Sequence, residues 1–158
     1  MGTRHAGSAG EVRALNVFIK LLRATNTLRA RLVPRLGAHD LTETQFGVLE
    51  ALYHLGPLCQ RDIGDKLLTS GGNVTLVVDN LEKRGLVKRV RGTEDRRFVT
   101  VHLAAAGRRL IAKAFPPHAR RVAEALGVLT AAEQEELGRL CRKLGTAVAS
   151  GAGPRPPR

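Results

Sequence analysis

Residues 70–103 read S-G-G-N-V-T-L-V-V-D-N-L-E-K-R-G-L-V-K-R-V-R-G-T-E-D-R-R-F-V-T-V-H-L. Val74, Val77, Val78 and Leu81 recur at i, i+3, i+4 and i+7, which predicts a helix with one apolar stripe. Asn73, Thr75, Leu76, Asp79, Asn80 and Lys83 fall outside that stripe. Gly85 stands where a helix ends on a left-handed residue, and the β-branched residues after it lose the helical period. Two strands are predicted at 86–90 and 98–103, the second with Val99, Val101 and Leu103 on one face. Gly92-Thr93-Glu94-Asp95 supplies the turn between them.

Immediately upstream, residues 60–68 form a short helix carrying Ile63 and Leu67, joined to the next by Thr69-Ser70-Gly71-Gly72. Two helices across a tight, glycine-bearing connection make a helix-turn-helix. Ser70 is its expected N-cap, so the free N–H groups and positive end of the second helix would point at a phosphate or base edge. Before it, Thr42-Glu43-Thr44-Gln45 is a capping box with Leu41 and Phe46 as staple, starting a helix over 43–54 that buries Phe46, Leu49, Leu52 and Tyr53. Gly56-Pro57 breaks the chain there. A helix-turn-helix followed by a basic hairpin is the sequence form of a winged helix.

The outer segments are helical too. Val12, Leu15, Ile19, Leu22 and Val33 give a first helix over about 11–33, closed by Pro34 and Gly37. It carries more apolar face than its own core can cover, so part of it is expected to meet a second subunit, an ordinary core helix being the plainer alternative. Residues 108–115 start a fifth helix that Pro116-Pro117 should kink or break before it resumes to 126. Thr130-Ala131-Ala132-Glu133 is a second capping box, opening a last helix to 148 with Leu137, Leu140, Leu144 and Val148 along one stripe. The expected fold is mainly α: a six-helix winged helix-turn-helix with a two-stranded β-wing. Residues 11–149 are expected to form a single domain, with the winged part at about 42–104, outer helical segments at about 11–33 and 106–149, and disordered tails at 1–10 and 150–158.

At 158 residues and a formal charge of +12, the chain favours an acidic partner, nucleic acid or anionic membrane. No apolar run reaches eighteen residues and no signal peptide is visible, so a cytoplasmic protein without a membrane partner is expected. Residues 83–97 hold seven basic side chains against two acidic ones, a net of +5 in fifteen residues. A polyanion would neutralise that density with a steep salt dependence. A merely solvated face is the bland alternative, weakened by the position of the run directly after a helix-turn-helix. Four Phe, one Tyr and no Trp leave too few aromatics to stack single-stranded bases, so duplex DNA is the better fit. Asn73 and Thr75 are the expected base contacts, and Lys83, Lys88 and Arg89 the expected phosphate contacts. Asp79, a carboxylate near DNA, reads as an orienter of a basic neighbour.

Cys59 and Cys141 stand apart without C-x-x-C spacing, and the five histidines are scattered, so neither a metal nor a cofactor is expected. No paired-carboxylate, Ser-His or Cys-His arrangement points to an enzyme. Cys59 precedes the third helix, where a helix N-terminus favours the thiolate, and is the redox candidate; a small buried hydrophobe is the alternative.

The run D-R-R-F-V-T-V-H-L-A-A-A-G after L-E-K-R-G-L-V-K-R resembles the wing of the MarR (multiple antibiotic resistance regulator) family. L-T-E-T-Q-F-G-V-L-E-A-L and R-D-I-G-D-K-L resemble the helices before that family's recognition helix, and the likeness spans residues 12–149. L-L-T-S-G-G-N-V-T-L-V-V-D-N-L-E-K and F-P-P-H resemble the branch that responds to quinones and hydroquinones. The resemblance implies a homodimeric repressor, paired through dimerisation helices at about 11–33 and 106–149, on a pseudo-palindromic duplex operator, released by a small aromatic or phenolic effector or, less favoured, by cysteine oxidation. The family's redox cysteine lies in the first helix, where this chain has none. In the wing it implies Arg97 in the minor groove braced by Asp95, with Arg91 and Arg96 on phosphates; a plain hairpin-turn acid remains open for Asp95. It also implies an effector pocket between the first, second and fifth helices, lined by Phe18, Leu22, Phe46, Tyr53, Phe115 and His118, each of which singly also reads as core. The competing reading is a winged-helix protein-interaction module without specific DNA binding.

Overall fold

The computed structural model describes residues 3–67, 71–92 and 99–149. Ser70, Asp95, Arg96 and Arg97 lie outside the described residues, as does the segment 150–158. The chain divides into two compact units, Met1–Ala119 and Arg120–Arg158.

Helix α1 (Ala9–Leu32) opens the first unit. It begins ahead of the sequence expectation because Ser8 and Glu11 close a capping box: Glu11 N–H donates to Ser8 Oγ at 3.3 Å and Ser8 N–H to the Glu11 carboxylate at 2.7 Å. The expected unstructured lead is shortened accordingly, with Thr3 N–H donating to Asn16 Oδ1 at 2.8 Å. No residue of α1 is buried. Two 3-10 turns (Val33–Arg35 and Gly37–His39) lead to α2 (Glu43–Leu55), whose cap is the one the sequence spells: Gln45 N–H to Thr42 Oγ1 at 3.2 Å and Thr42 N–H to Gln45 Oε1 at 3.0 Å. Leu41 and Phe46, the staple pair, are both buried.

A short strand β1 (Leu58–Cys59), not anticipated from the sequence, precedes α3 (Gln60–Leu67). Next come α4 (Gly71–Lys83), β2 (Val87–Arg91) and β3 (Val99–Leu103). The sheet is antiparallel in the order β1-β3-β2, with Leu58 opposite Val101 and Arg89 opposite Val101 on the other side. The predicted two-stranded wing is thus anchored by a third strand at its base. A two-residue strand has no legible period, and it exists because β3 has an open edge to pair.

Val74, Val77, Val78 and Leu81 are all buried, meeting Leu49 and Leu52 of α2, Ile63 of α3 and Val101 of β3 in one core. The end of α4 is a Schellman motif: Gly85, at φ +66°, donates to Glu82 O at 2.9 Å and Leu86 N–H to Leu81 O at 2.9 Å. That stop turns the chain straight into β2.

Helix α5 (Ala105–Leu126) runs through Pro116 and Pro117 as one helix, correcting the expected break. Each proline lacks an N–H, which normally favours a kink or break. Packing on both sides holds the turn: Ile111 and Ala114 are buried before the prolines, and the His118 ring lies 4.6 Å from Phe46 after them. In the second unit, α6 (Ala131–Ala149) starts at the expected cap, Glu133 N–H to Thr130 Oγ1 at 3.4 Å and Thr130 N–H to Glu133 at 2.8 Å.

Candidate nucleic-acid interface

The face of α4 opposite its buried stripe is open. Gly72, Asn73, Thr75, Leu76, Asn80 and Lys83 are all exposed. At 100° per residue, Leu76, four after Gly72 and seven before Lys83, occupies the middle of that face, with Asn73 and Thr75 on its flanks. Leu76 is 61% exposed, although it is a large apolar side chain on a helix otherwise sorted by polarity. Sequence reasoning placed it outside the core stripe and gave it no role; the signal was an apolar residue in the polar arc.

On the wing, alternation decides which cations are available. Val87 is buried, so Arg89, two residues on, shares its face and turns toward α4, whereas Lys88 points outward. Arg89 is 23% exposed, and its side chain is fully engaged: Nη2 donates to Asp79 Oδ1 at 2.6 Å, Nη1 to Glu82 Oε2 at 2.6 Å and Nε to Gln60 Oε1 at 3.4 Å. Its backbone N–H adds a bond to Glu82 Oε1 at 2.8 Å. Where the sequence suggests a phosphate contact for Arg89, two carboxylates already share its charge. Asp79 orients a basic neighbour, and that neighbour is Arg89. Lys83, Lys88 and Arg91 remain exposed, as phosphate contacts must be.

Gln60 and Glu82, unassigned in the sequence, complete this cluster. Gln60 also donates through Nε2 to Thr75 Oγ1 at 3.0 Å. A second guanidinium, that of Arg84, ties the end of α4 to the loop before α2, with Nη1 on Asp40 O at 2.7 Å. The Arg89 backbone and side-chain hydrogen bonds hold the Glu82 carboxyl below its usual range. A carboxyl depressed in the fold adds stability above its unfolded value, about 4.3, and loses it as pH falls through the lowered folded value. Because Glu82 is more than a third exposed, solvent screening keeps this under about 1 kcal/mol. Urea midpoints between pH 6 and 3 should therefore fall more for the parent than for Glu82→Gln, the two curves converging at the acid end; parallel curves would refute the linkage.

Cys59, half-buried in β1, accepts the Asp62 N–H on Sγ at 3.4 Å and so caps α3; Cys141 is exposed. Of the six side chains expected around an effector, Phe46 and His118 line a cavity of about 670 Å³ in the first unit, together with Leu28, Arg29, Glu43 and Leu67. His118 Nδ1 is buried and without a hydrogen-bond partner. The other four are placed elsewhere. Phe18 and Leu22 are exposed on α1. Tyr53 follows Phe46 by two helical turns, about 10 Å along α2, and meets the His54 ring edge-on, as His54 in turn meets Phe115. Among the described residues no His, Cys, Asp or Glu cluster could hold a metal ion, and no helix is long and apolar enough to cross a membrane.

Comparison with known proteins bears on this geometry. The MarR family pattern matches residues 41–99, the span from the α2 cap to the start of β3. The chain is 37% identical to the uncharacterized HTH-type transcriptional regulator YkoM of Bacillus subtilis (strain 168), over 84% of this chain and 86% of that one. The chain belongs to the MarR family. A second relative, the HTH-type transcriptional regulator MhqR of the same organism, is 35% identical over 84% of this chain and 92% of its own. Among solved structures, Bordetella bronchiseptica BpsR, described by its regulation of DNA binding by 6-hydroxynicotinic acid, superimposes with TM-score 0.72 at 29% identity over 82% of this chain and 98% of that one. MarR-family proteins are transcriptional regulators rather than enzymes, which favours that reading over a free-standing protein-interaction module.

Proposed function

We propose that this MarR-family regulator is a homodimeric repressor that binds a pseudo-palindromic duplex operator and lets go when a small hydroxylated aromatic compound binds. The observation that carries the DNA reading is the exposed arc of α4, with Asn73, Thr75 and Leu76 side by side and Lys83, Lys88 and Arg91 around them. Asn73 suits a bidentate pair with adenine, while Leu76 and the Thr75 methyl suit thymine methyl groups. The lysines and Arg91 contact phosphates and set the register. Ser70, which precedes α4 in the chain, and Asp95, Arg96 and Arg97, which fall between β2 and β3 in the sequence, belong to the same reading, with Arg97 in a narrow minor groove.

Two unpartnered apolar stripes support the dimer. Phe18 and Leu22 are exposed on α1, and Leu137, Leu140, Leu144 and Val148 on α6, each within its own unit. Exposed apolar surface of that extent marks a protein interface. The cavity beside Phe46 and His118 has the volume of a small-ligand site. Its polar lining includes Arg29, bound to Glu43 at 2.6 Å, Thr44 and His118, a set that suits a carboxylate and a hydroxyl on one aromatic ring. That BpsR answers to 6-hydroxynicotinic acid supports this class of effector. Oxidation of Cys59 is the less favoured release route, because its sulfur is occupied in capping α3.

The test is selection of a binding sequence from random duplexes followed by Asn73→Ala. The variant is expected to keep its salt dependence while losing about 10-fold to 100-fold discrimination at one adenine per half-site, about 1–3 kcal/mol. Uniform weakening on every sequence would remove Asn73 from base recognition.

A further inference from the structure

Resting on the DNA-binding reading above, we propose that Arg89 is a positioning residue that never touches DNA: through Gln60 it fixes the Thr75 side chain on the recognition helix and locks the wing to that helix.

The arrangement follows from donor chemistry. Arginine can only donate, so the Gln60 atom facing Arg89 Nε must be its carbonyl oxygen. The amide group of Gln60 therefore faces the other way, toward α4, and it is this group that reaches Thr75 Oγ1 at 3.0 Å. Thr75 has a branched Cβ, so fixing Oγ1 fixes the methyl as well. The long 3.4 Å contact is the weaker of the two, yet it decides the orientation because no reversed amide could satisfy it. Arg89 thus sets which end of the Gln60 amide meets Thr75 and braces the Thr75 hydroxyl as an acceptor, although its guanidinium sits on a different element.

Charge points the same way. One guanidinium between the carboxylates of Asp79 and Glu82 makes a group of net −1, which repels a phosphate rather than inviting it. Each of its three nitrogens already donates, from β2 to α4 and α3. To reach a phosphate, Arg89 would have to abandon both carboxylates, and the wing would lose its charged tie to α4. Of the basic side chains described on α4 and β2, Lys88 next door is the informative contrast: exposed, outward-facing and without the acids.

The experiment measures log K against log salt concentration by fluorescence anisotropy. The probes are the duplex selected with the parent protein and a random-sequence duplex of equal length, and the proteins are the parent, Arg89→Gln and Lys88→Gln. Each lost phosphate contact flattens the slope by about 0.9. Lys88→Gln is expected to flatten it by that amount per bound subunit and to weaken both duplexes equally. Arg89→Gln should leave the slope unchanged and lose about 10-fold or more on the selected duplex only. A slope change in Arg89→Gln equal to that of Lys88→Gln, with equal loss on both duplexes, overturns the proposal. If Arg89→Gln fails to fold, the cycle of Gln60→Ala, Thr75→Val and the double variant decides. The double variant should lose little more on the selected duplex than Thr75→Val alone, whereas additive losses overturn the link. A parent protein that binds neither duplex defeats the DNA-binding reading itself, and this inference with it, a result distinct from either outcome above.

Discussion

Replacing Gly107 by alanine is expected to destabilise the protein by about 2–4 kcal/mol, although alanine is the better helix former by about 1 kcal/mol. Gly107 is buried in the first turn of α5, and a Cβ there would run into the Leu86 carbonyl oxygen and stand 2.9 Å from its carbon. Backbone, unlike the tip of a side chain, cannot swing aside. Leu86 is also fixed on every side: its N–H closes the Schellman motif on Leu81, its oxygen accepts the Ala104 N–H at 3.0 Å, and its neighbour Val87 pairs with Leu103. Relieving the clash therefore means moving the end of α4, the start of β2 or the first turn of α5. Urea unfolding followed by far-UV circular dichroism reads the change directly, and a variant as stable as the parent would show that the close approach is not real. Gly47 offers an internal control: an added Cβ would meet the Leu67 side chain, nearest at Cδ2, 2.8 Å away, and a leucine tip can turn, so Gly47→Ala should cost less.

The double variant Leu140→Glu with Leu144→Glu is expected to abolish the proposed dimer and lower affinity for the selected duplex by about 10²-fold to 10⁴-fold. Both side chains are exposed in their own unit, so the substitutions remove no internal packing, and a monomer should keep its helical spectrum. In the proposed dimer, four carboxylates would face one another along a stripe that now presents leucine. A dimer binds its second half-site as an intramolecular event, and losing that linkage removes the effective-concentration gain of the stated size. Sedimentation equilibrium and anisotropy on the selected duplex check both halves. A variant that stays dimeric, or a monomer that binds as tightly as the parent, would assign the α6 stripe to something else.

Much of this architecture is legible in the sequence, for reasons that differ by element. The α4 stripe and its stop at Gly85 are readable because both depend on local rules, a 3.6-residue period and a left-handed cap. The boxes at Thr42 and Thr130 are readable for the same reason. The Ser8 box has an equally plain S-x-x-E signature, which the glycines around it obscured. What local rules cannot supply is the partner in space. Arg89 looks like every other cation of the hairpin until β2 is laid beside α4, and only then do Asp79 and Glu82 claim it. Gln60 is invisible for the same reason, because its role spans three elements. The α5 prolines mislead in the opposite direction, since tertiary packing from Ile111 to His118 holds a helix that the local chemistry disfavours. The effector residues were harder still, because aromatic side chains alone do not say which of them share a cavity.

Hydroxyl-radical footprinting of the purified protein on the selected duplex, repeated across a salt series, tests most directly whether paired recognition helices and wings read one face of B-form DNA. The expected pattern is an inverted repeat of two protected patches about ten base pairs apart, centre to centre, occupied by one dimer and fading steeply as salt rises. A single protected patch, or protection that spreads without symmetry and ignores salt, would contradict it.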